Sequence, residues 1–456
     1  MSAAPRGLAR DLTLAAAVAV ILAQVIGTGV FVKARVMTCN VGAPSLVLAA
    51  WAVGGLFTLA GAITFGELGA MFPRAGGEMH FLRAAYGRAV AFLYGWMQIL
   101  VGKAGSQAAL AVAFAIFAND LSGGALSAPG AQAIALAAIG LGTAINLASV
   151  RSNGAVATAL TVVKVALIAG IALAAFRASL SGALGSAVAS AGEACADVPA
   201  SARLGAAGFG AAVIGALWGY SGWGNLTLLG DELRDPSRTL PRALVLGIGA
   251  IVALYLIANA AYFVVLTPAE LMAVSRDSSV AREVMVRVFG GAAAAVMAAG
   301  LLASSFGSLH VSMLTGARVP YALAHEALLP RAFGAVSARG APWVAVLVQG
   351  AWACVLALSG SFDVLTDYTI FGGLAFQALA VGAIFVLRRS QPEAPRPVRA
   401  WGYPFVPALY VLATAWLVTS TLIATPGRAL AGLGLIALGL PVYALFVRHA
   451  HASARG

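Results

Sequence analysis

The sequence predicts an all-helical integral membrane protein of twelve spans. The first and sixth spans are broken, and the first ten form two five-span halves of inverted topology. Three observations predict this: a composition too apolar for a soluble domain, about a dozen apolar stretches of spanning length, and two stretches interrupted at corresponding places.

Of 456 residues, 61% are hydrophobic and 10% charged, with a mean hydropathy of +0.93, whereas soluble domains carry roughly a quarter charged residues. Crossing the hydrocarbon core takes about 20 apolar residues. The expected spans are 12–36, 43–71, 88–118, 129–149, 154–176, 205–230, 241–266, 290–316, 342–359, 366–387, 407–424 and 429–447. They divide the chain into a ten-span core, 1–387, with halves 12–176 and 205–387, a connector, 388–406, and a terminal pair with its tail, 407–456. The connector reads Arg388-Arg389-Ser390-Gln391-Pro392-Glu393-Ala394-Pro395-Arg396-Pro397, and its prolines preclude a continuous helix.

The net charge of +12 does not mark a nucleic-acid binder, because the basic residues are spread through the joints without a patch interleaved with aromatics. Most fall in joints that are cytoplasmic if the N-terminus is, in the direction of the positive-inside rule. Both termini are therefore expected in the cytoplasm, and the expected location is a bacterial cytoplasmic (inner) membrane. Arg6 and Arg10 before an apolar run imitate a secretory signal, but the run continues to Val32 and reads as the first span. Cys39 and Cys195 both fall on the outside, where a disulfide is chemically allowed, and the sequence leaves that pairing open.

In span 1, Gln24-Val25-Ile26-Gly27-Thr28-Gly29-Val30-Phe31 places two glycines in mid-membrane, each costing roughly 1 kcal/mol of helix stability. Unwinding there exposes backbone groups that lipid cannot satisfy. The N–H groups opening the second half-helix, at its positive dipole end, suit a carboxylate. The alternative is that the glycines only let a neighbouring helix approach. In span 6, Trp218-Gly219-Tyr220-Ser221-Gly222-Trp223-Gly224 makes poor helix, and carbonyls freed there suit an ammonium group. Paired interruptions in two halves point to a substrate site. The candidate contacts are Ile26, Gly27, Thr28, Gly29, Trp218, Gly219, Tyr220, Ser221 and Gly222, with Trp218 also a gate over the ligand. Core filling or interface anchoring is the alternative for Trp218 and Trp223.

Lys164 lies among apolar residues in span 5, where insertion costs about 2.5–3.5 kcal/mol. It is a candidate coupling residue, either a fixed cation or a titrating group, together with the hydroxyls of Ser304 and Ser305 in span 8. The alternative is a lysine that snorkels to the surface. Lys103, near Ser106 and Gln107, is more ambiguous. Glu67 and Glu78 flank Met71-Phe72-Pro73-Arg74-Ala75-Gly76-Gly77, read as a structural gating loop where an acid and several arginines pair. No acid is apparent at either break, which favours neutral substrates.

Enzyme signatures are missing: no HExxH, GxxxxGK[ST] or GxSxG occurs. His80, His310 and His325 do not cluster at ligand spacing and only His449 and His451 stand close, so neither a metal nor a cofactor is expected.

The chain resembles the amino acid–polyamine–organocation (APC) superfamily, specifically its L-type amino acid transporter-like permeases. The resemblance rests on Ile26-Gly27-Thr28-Gly29-Val30-Phe31, Pro73-Arg74-Ala75-Gly76-Gly77-Glu78, Trp218-Gly219-Tyr220-Ser221-Gly222-Trp223, Asp231-Glu232-Leu233-Arg234-Asp235-Pro236, Leu240-Pro241-Arg242 and Arg396-Pro397 with Tyr403-Pro404. It implies the leucine-transporter-like inverted repeat and alternating-access transport of an amino acid, as exchanger or proton-coupled symporter. The substrate carboxylate would meet the 27–29 backbone and its amine the span 6 carbonyls near Trp218 and Gly219. It also implies that Lys164 stands near the position of a sodium site, against sodium coupling. Two departures stand out. Gly224 precedes Asn225 where relatives often have Asn, and the outside joint after span 3 lacks the cysteine that links animal relatives to a heavy chain, so no such partner is expected. A membrane-embedded sensor or scaffold that binds an amino acid without moving it is the competing reading.

Overall fold

The computed structural model describes residues 8–182, 195–275, 278–359, 362–424 and 426–453. Arg6, residues 183–194 of the joint between spans 5 and 6, and the side chains of His449 and His451 lie outside that description. All described elements are helical apart from two isolated bridges, Leu12 with Leu233 and Ala75 with Leu229.

Span 1 starts at Thr13, whose hydroxyl accepts from Ala16 N at 3.3 Å, an N-cap that satisfies one donor a helix start leaves open. Its first half, Leu14–Val25, stops at the glycine pair, and the second half, Gly29–Val41, continues at a 46° bend. Spans 2 to 5 are Pro44–Met71, Arg88–Leu121, Ala128–Asn146 and Val150–Leu180. Span 6 runs as an α-helix over Gly205–Gly219, turns through Gly222 at φ +97°, and resumes as a 3₁₀ turn over Trp223–Leu228. Spans 7 and 8 are Pro236–Val265 and Ala293–His325, span 9 is Trp343–Ser359, and span 10 is Phe362–Ser390. Phe405–Ala424 forms span 11, and Pro426–Ala437 with Gly439–Ser453 forms span 12.

Both expected breaks are present. The expected bounds are correct to within several residues, except that span 8 continues past 316 to His325. Span 3 contains a π-helical turn, Gln98–Gly102, a feature the sequence did not announce and one that recurs at functional sites.

Small residues decide how closely the spans pack, since lipid supplies no hydrophobic drive between helices. On span 2, a Cβ at Gly55 would stand 2.5 Å from Val252 of span 7, and one at Gly69 2.5 Å from Leu240. Glycine is the residue that permits this approach.

The membrane face carrying the start of span 1, called here the N face, is sealed by ion pairs. Arg318 reaches Glu232 with two parallel hydrogen bonds of 2.7 and 2.8 Å, with side chains 1% and 0% exposed. Glu67 holds Arg388 at 2.6 and 3.0 Å and accepts from Ala400 N at 2.6 Å. Glu326 pairs with Arg83. The loop 72–77 lies against span 6, where Asp231 accepts from Ala75 N at 3.0 Å and Gly76 N donates to Leu228 O at 3.2 Å. His80, in the short helix Glu78–Tyr86, contacts Ala75 O at 2.8 Å, and burial holds its imidazole below its ordinary value.

At the opposite face the question left open by sequence is answered: Cys39 and Cys195 form a disulfide. Beside it Arg35 grips Asp197 at 2.8 and 2.9 Å, and Leu204 N donates to Asn40 O at 2.6 Å. The joint before span 6 is thereby fastened to the second half of span 1.

Candidate functional site

The two breaks meet. A Cβ at Gly29 would lie 2.9 Å from Gly219 Cα and 3.2 Å from the Trp218 ring, and one at Gly222 would lie 2.8 Å from Gln24. The end of each first half-helix therefore abuts the partner span, and only glycine fits at these crossings. The Tyr255 hydroxyl of span 7 sits between them, 3.0 Å from both Val25 O and Gly219 O.

Lys164 does not snorkel. It is fully buried, and its ammonium donates to Ala23 O and Ile26 O at 2.6 Å each and to Ser308 Oγ at 2.9 Å. All three N–H donors of a lysine are thus used. The carbonyls are those released where the first half-helix stops, its negative dipole end, so the cation meets partial charge of opposite sign. Ser304 adds its hydroxyl to Ile26 O at 3.2 Å, and Ser308 donates to Ala23 O at 2.9 Å. Ser305 does not join them. Its hydroxyl returns to Leu301 O and Leu302 O of its own helix at 3.0 Å, the local bonding serine commonly adopts within helices. Ser308, one turn from Ser304, occupies the place expected of Ser305.

A cavity of about 570 Å³ opens between the breaks. Of the expected substrate contacts, Gly27, Thr28, Gly29, Trp218, Gly219, Ser221 and Gly222 line it. Ile26 and Tyr220 do not. Ile26 is fully buried with its carbonyl committed to Lys164 and Ser304, and the Tyr220 hydroxyl turns away to Trp51 O at 3.0 Å. Trp218 forms part of the wall with the Lys33 ammonium 4.5 Å from its ring centroid, a cation–π distance. The lining continues to Ser420 and Thr421 near the far end of span 11, away from the sealed N face.

Two charged residues correct the sequence reading. Of the two acids flanking the gating loop, Glu67 takes the arginines Arg388 and Arg396, while Glu78 lines the cavity. Lys103 lines it as well and donates to Thr315 Oγ1 at 3.3 Å, rather than to Ser106 or Gln107. The expectation of a cavity without an acid therefore fails. In sequence Glu78 lies about fifty residues from the span 1 break and about 140 from the span 6 break, and the close approach of Gly224 brings it alongside span 6.

A chain that unwinds two membrane spans where they touch, and keeps a polar-lined hollow there, is built as a membrane permease. It belongs to the amino acid permease family, whose model matches residues 12–445. The chain is 29% identical to the serine/threonine exchanger SteT of Bacillus subtilis (strain 168), over 96% of this chain and 97% of that protein. It is also 29% identical to the human b(0,+)-type amino acid transporter 1, over 97% of this chain and 89% of that one. Identity to the human large neutral amino acids transporter small subunit 2 is 28%, over 97% and 82%. The chain is an amino acid transporter of the APC group and not an enzyme.

Proposed function

We propose that the chain exchanges a neutral amino acid across the bacterial cytoplasmic membrane by alternating access. The carrying observation is the contact of Gly29 with Gly219 and Trp218 beside one cavity. It sets the N–H groups that open the second half of span 1 near the carbonyls that end the first half of span 6. The substrate carboxylate takes the former, since helix starts leave donors unpaired and favour anions. Its amine takes the latter, where Gly219 O keeps a second lone pair beside the Tyr255 hydroxyl. Trp218 closes over the ligand.

In this reading the halves 12–176 and 205–387 are inverted repeats and the sealed N face is cytoplasmic, so the conformation faces outward. Lys164 acts as a fixed cation that holds the span 1 break without sodium, with Ser304 supporting it. Exchange is preferred to proton symport because one relative is an exchanger by name. No disulfide-linked partner is needed. Of three cysteines, two are joined to each other and Cys354 lies within span 9.

Purified protein in liposomes preloaded with unlabelled amino acid tests the proposal. Uptake of labelled amino acid that depends on the internal load is expected. Saturable binding with no counterflow under any gradient would establish the sensor reading instead.

A further inference from the structure

Beyond the two breaks the cavity holds a buried acid and a buried base that the backbone cradle does not use. Glu78 and Lys103 are 7% and 4% exposed, and both line the same hollow as Gly27 and Gly219. A lone charge is costly at such burial, and these two of opposite sign share one hollow. Glu78 opens a short helix directly after the positive-φ glycines Gly76 and Gly77. Lys103 directly follows the π turn Gln98–Gly102 in span 3, where one extra residue shifts the register of the side chains that follow. Thr315 uses one of the three Lys103 donors.

Gly224 decides whether ligand can reach them. A Cβ there would stand 3.0 Å from Glu78 Oε1 and 3.1 Å from Phe65. With hydrogen at this position, the carboxylate approaches the unwound stretch of span 6 directly, and Gly222, Gly224 and Asn225 line the same cavity as Glu78 and Lys103.

We propose that Glu78 and Lys103 form the side-chain subsite of the transported amino acid, that Gly224 gives access to it, and that the subsite selects side chains which both donate and accept a hydrogen bond. This rests on the amino acid site proposed above and specifies its substrate class as hydroxyl or carboxamide amino acids. A carboxylate accepts and an ammonium donates, so together they complement a hydroxyl or a primary amide. The pair carries no net charge, so a cationic or anionic side chain would bring an uncompensated charge into a buried site. An alkyl side chain would leave the pair's hydrogen-bonding positions unmet, and a site built for a polar group rejects the analogue lacking it.

Threonine and valine have nearly the same shape and differ in one hydroxyl, which makes them the deciding probes. Dissociation constants for both are measured on detergent-solubilised protein by ligand-induced thermal shift, alongside alanine, serine, asparagine and arginine. Wild type is expected to bind threonine at least about tenfold more tightly than valine, the factor carried by one hydrogen bond to a charged group. In Glu78→Gln, Lys103→Met and Gly224→Ala the threonine-to-valine ratio falls toward one. Equal affinity for threonine and valine in wild type overturns the subsite whatever the variants do. So does a ratio unchanged in all folded variants, or a preference for arginine. Binding of alanine with no preference for threonine sinks the subsite while leaving the cradle intact. Binding of no amino acid at all removes the cradle and the subsite with it.

Discussion

The Lys164 ammonium lies 2.6 Å from the carbonyl oxygen of Ile26, the residue at which the first membrane helix stops. A side chain from span 5 thus supplies the capping that span 1 lacks within itself. The glycines weaken the helix, and the lysine makes the broken form satisfied. Neither alone accounts for a stable interruption in a medium without water.

Lys164→Ala would leave Ala23 O, Ile26 O and Ser308 without their cation. The two carbonyls keep only the Ser308 and Ser304 hydroxyls, and each lost hydrogen bond to a charged donor costs about 1.5–3 kcal/mol, partly offset by relief of the buried charge. Exchange is expected to fall at least tenfold, while the variant still purifies as a folded protein. Counterflow assays beside size-exclusion profiles measure both. Wild-type exchange in the variant would remove Lys164 from the mechanism.

Gly29→Ala drives a methyl group to within 2.9 Å of backbone at Gly219. Backbone cannot swing aside as a flexible side chain can, so the breaks must separate. Loss of substrate binding is expected even where expression is normal, whereas Gly170→Ala, which meets nothing within 4 Å, serves as control. Titration of ligand-induced thermal shift distinguishes them.

Arg318 and Glu232 test the seal at the N face. Breaking a buried pair by removing one partner typically costs about 3–5 kcal/mol, while replacing both by apolar residues is often near neutral. Glu232→Gln and Arg318→Met should each lower thermal stability more than the double variant Glu232→Leu/Arg318→Met. The double variant should also admit a thiol reagent from the N face to a cysteine placed at Thr28. No gain in labelling would show that other contacts close this side.

Removing the Cys39–Cys195 bond by Cys39→Ala/Cys195→Ala releases a loop spanning 156 residues. Native disulfides typically contribute about 2–5 kcal/mol, so melting should occur at lower temperature, and reductant should reproduce the shift in wild type alone. Equal melting of both proteins would mean that the Arg35–Asp197 pair fastens the loop unaided.

Composition and glycine placement were enough to read the helical class, the spans and both breaks, because lipid imposes lengths and penalties visible in a single stretch of chain. Gly27, Thr28, Gly29 and Gly219 were legible for that reason. The cavity's acid was not. Glu78 reads like one more charge at a helix end and Lys103 like an ambiguous polar residue, since their facing one cavity depends on a π turn before Lys103 and on the missing side chain of Gly224 beside Glu78. Ser304 and Ser305 read alike in the sequence, yet adjacent residues differ in direction by about 100° on a helix, a difference that only the packing of span 8 against span 1 decides. Tyr255 carried no local signal at all.

That tyrosine has one hydroxyl hydrogen and two acceptors at equal distance, one on each interrupted span. It can serve a single acceptor at any instant. If the two half-helices slide apart during the transport cycle, the phenol must choose a side, and the abandoned oxygen becomes free for another donor such as the substrate's amine. A shared hydrogen of this kind would let an incoming ligand register on both spans at once.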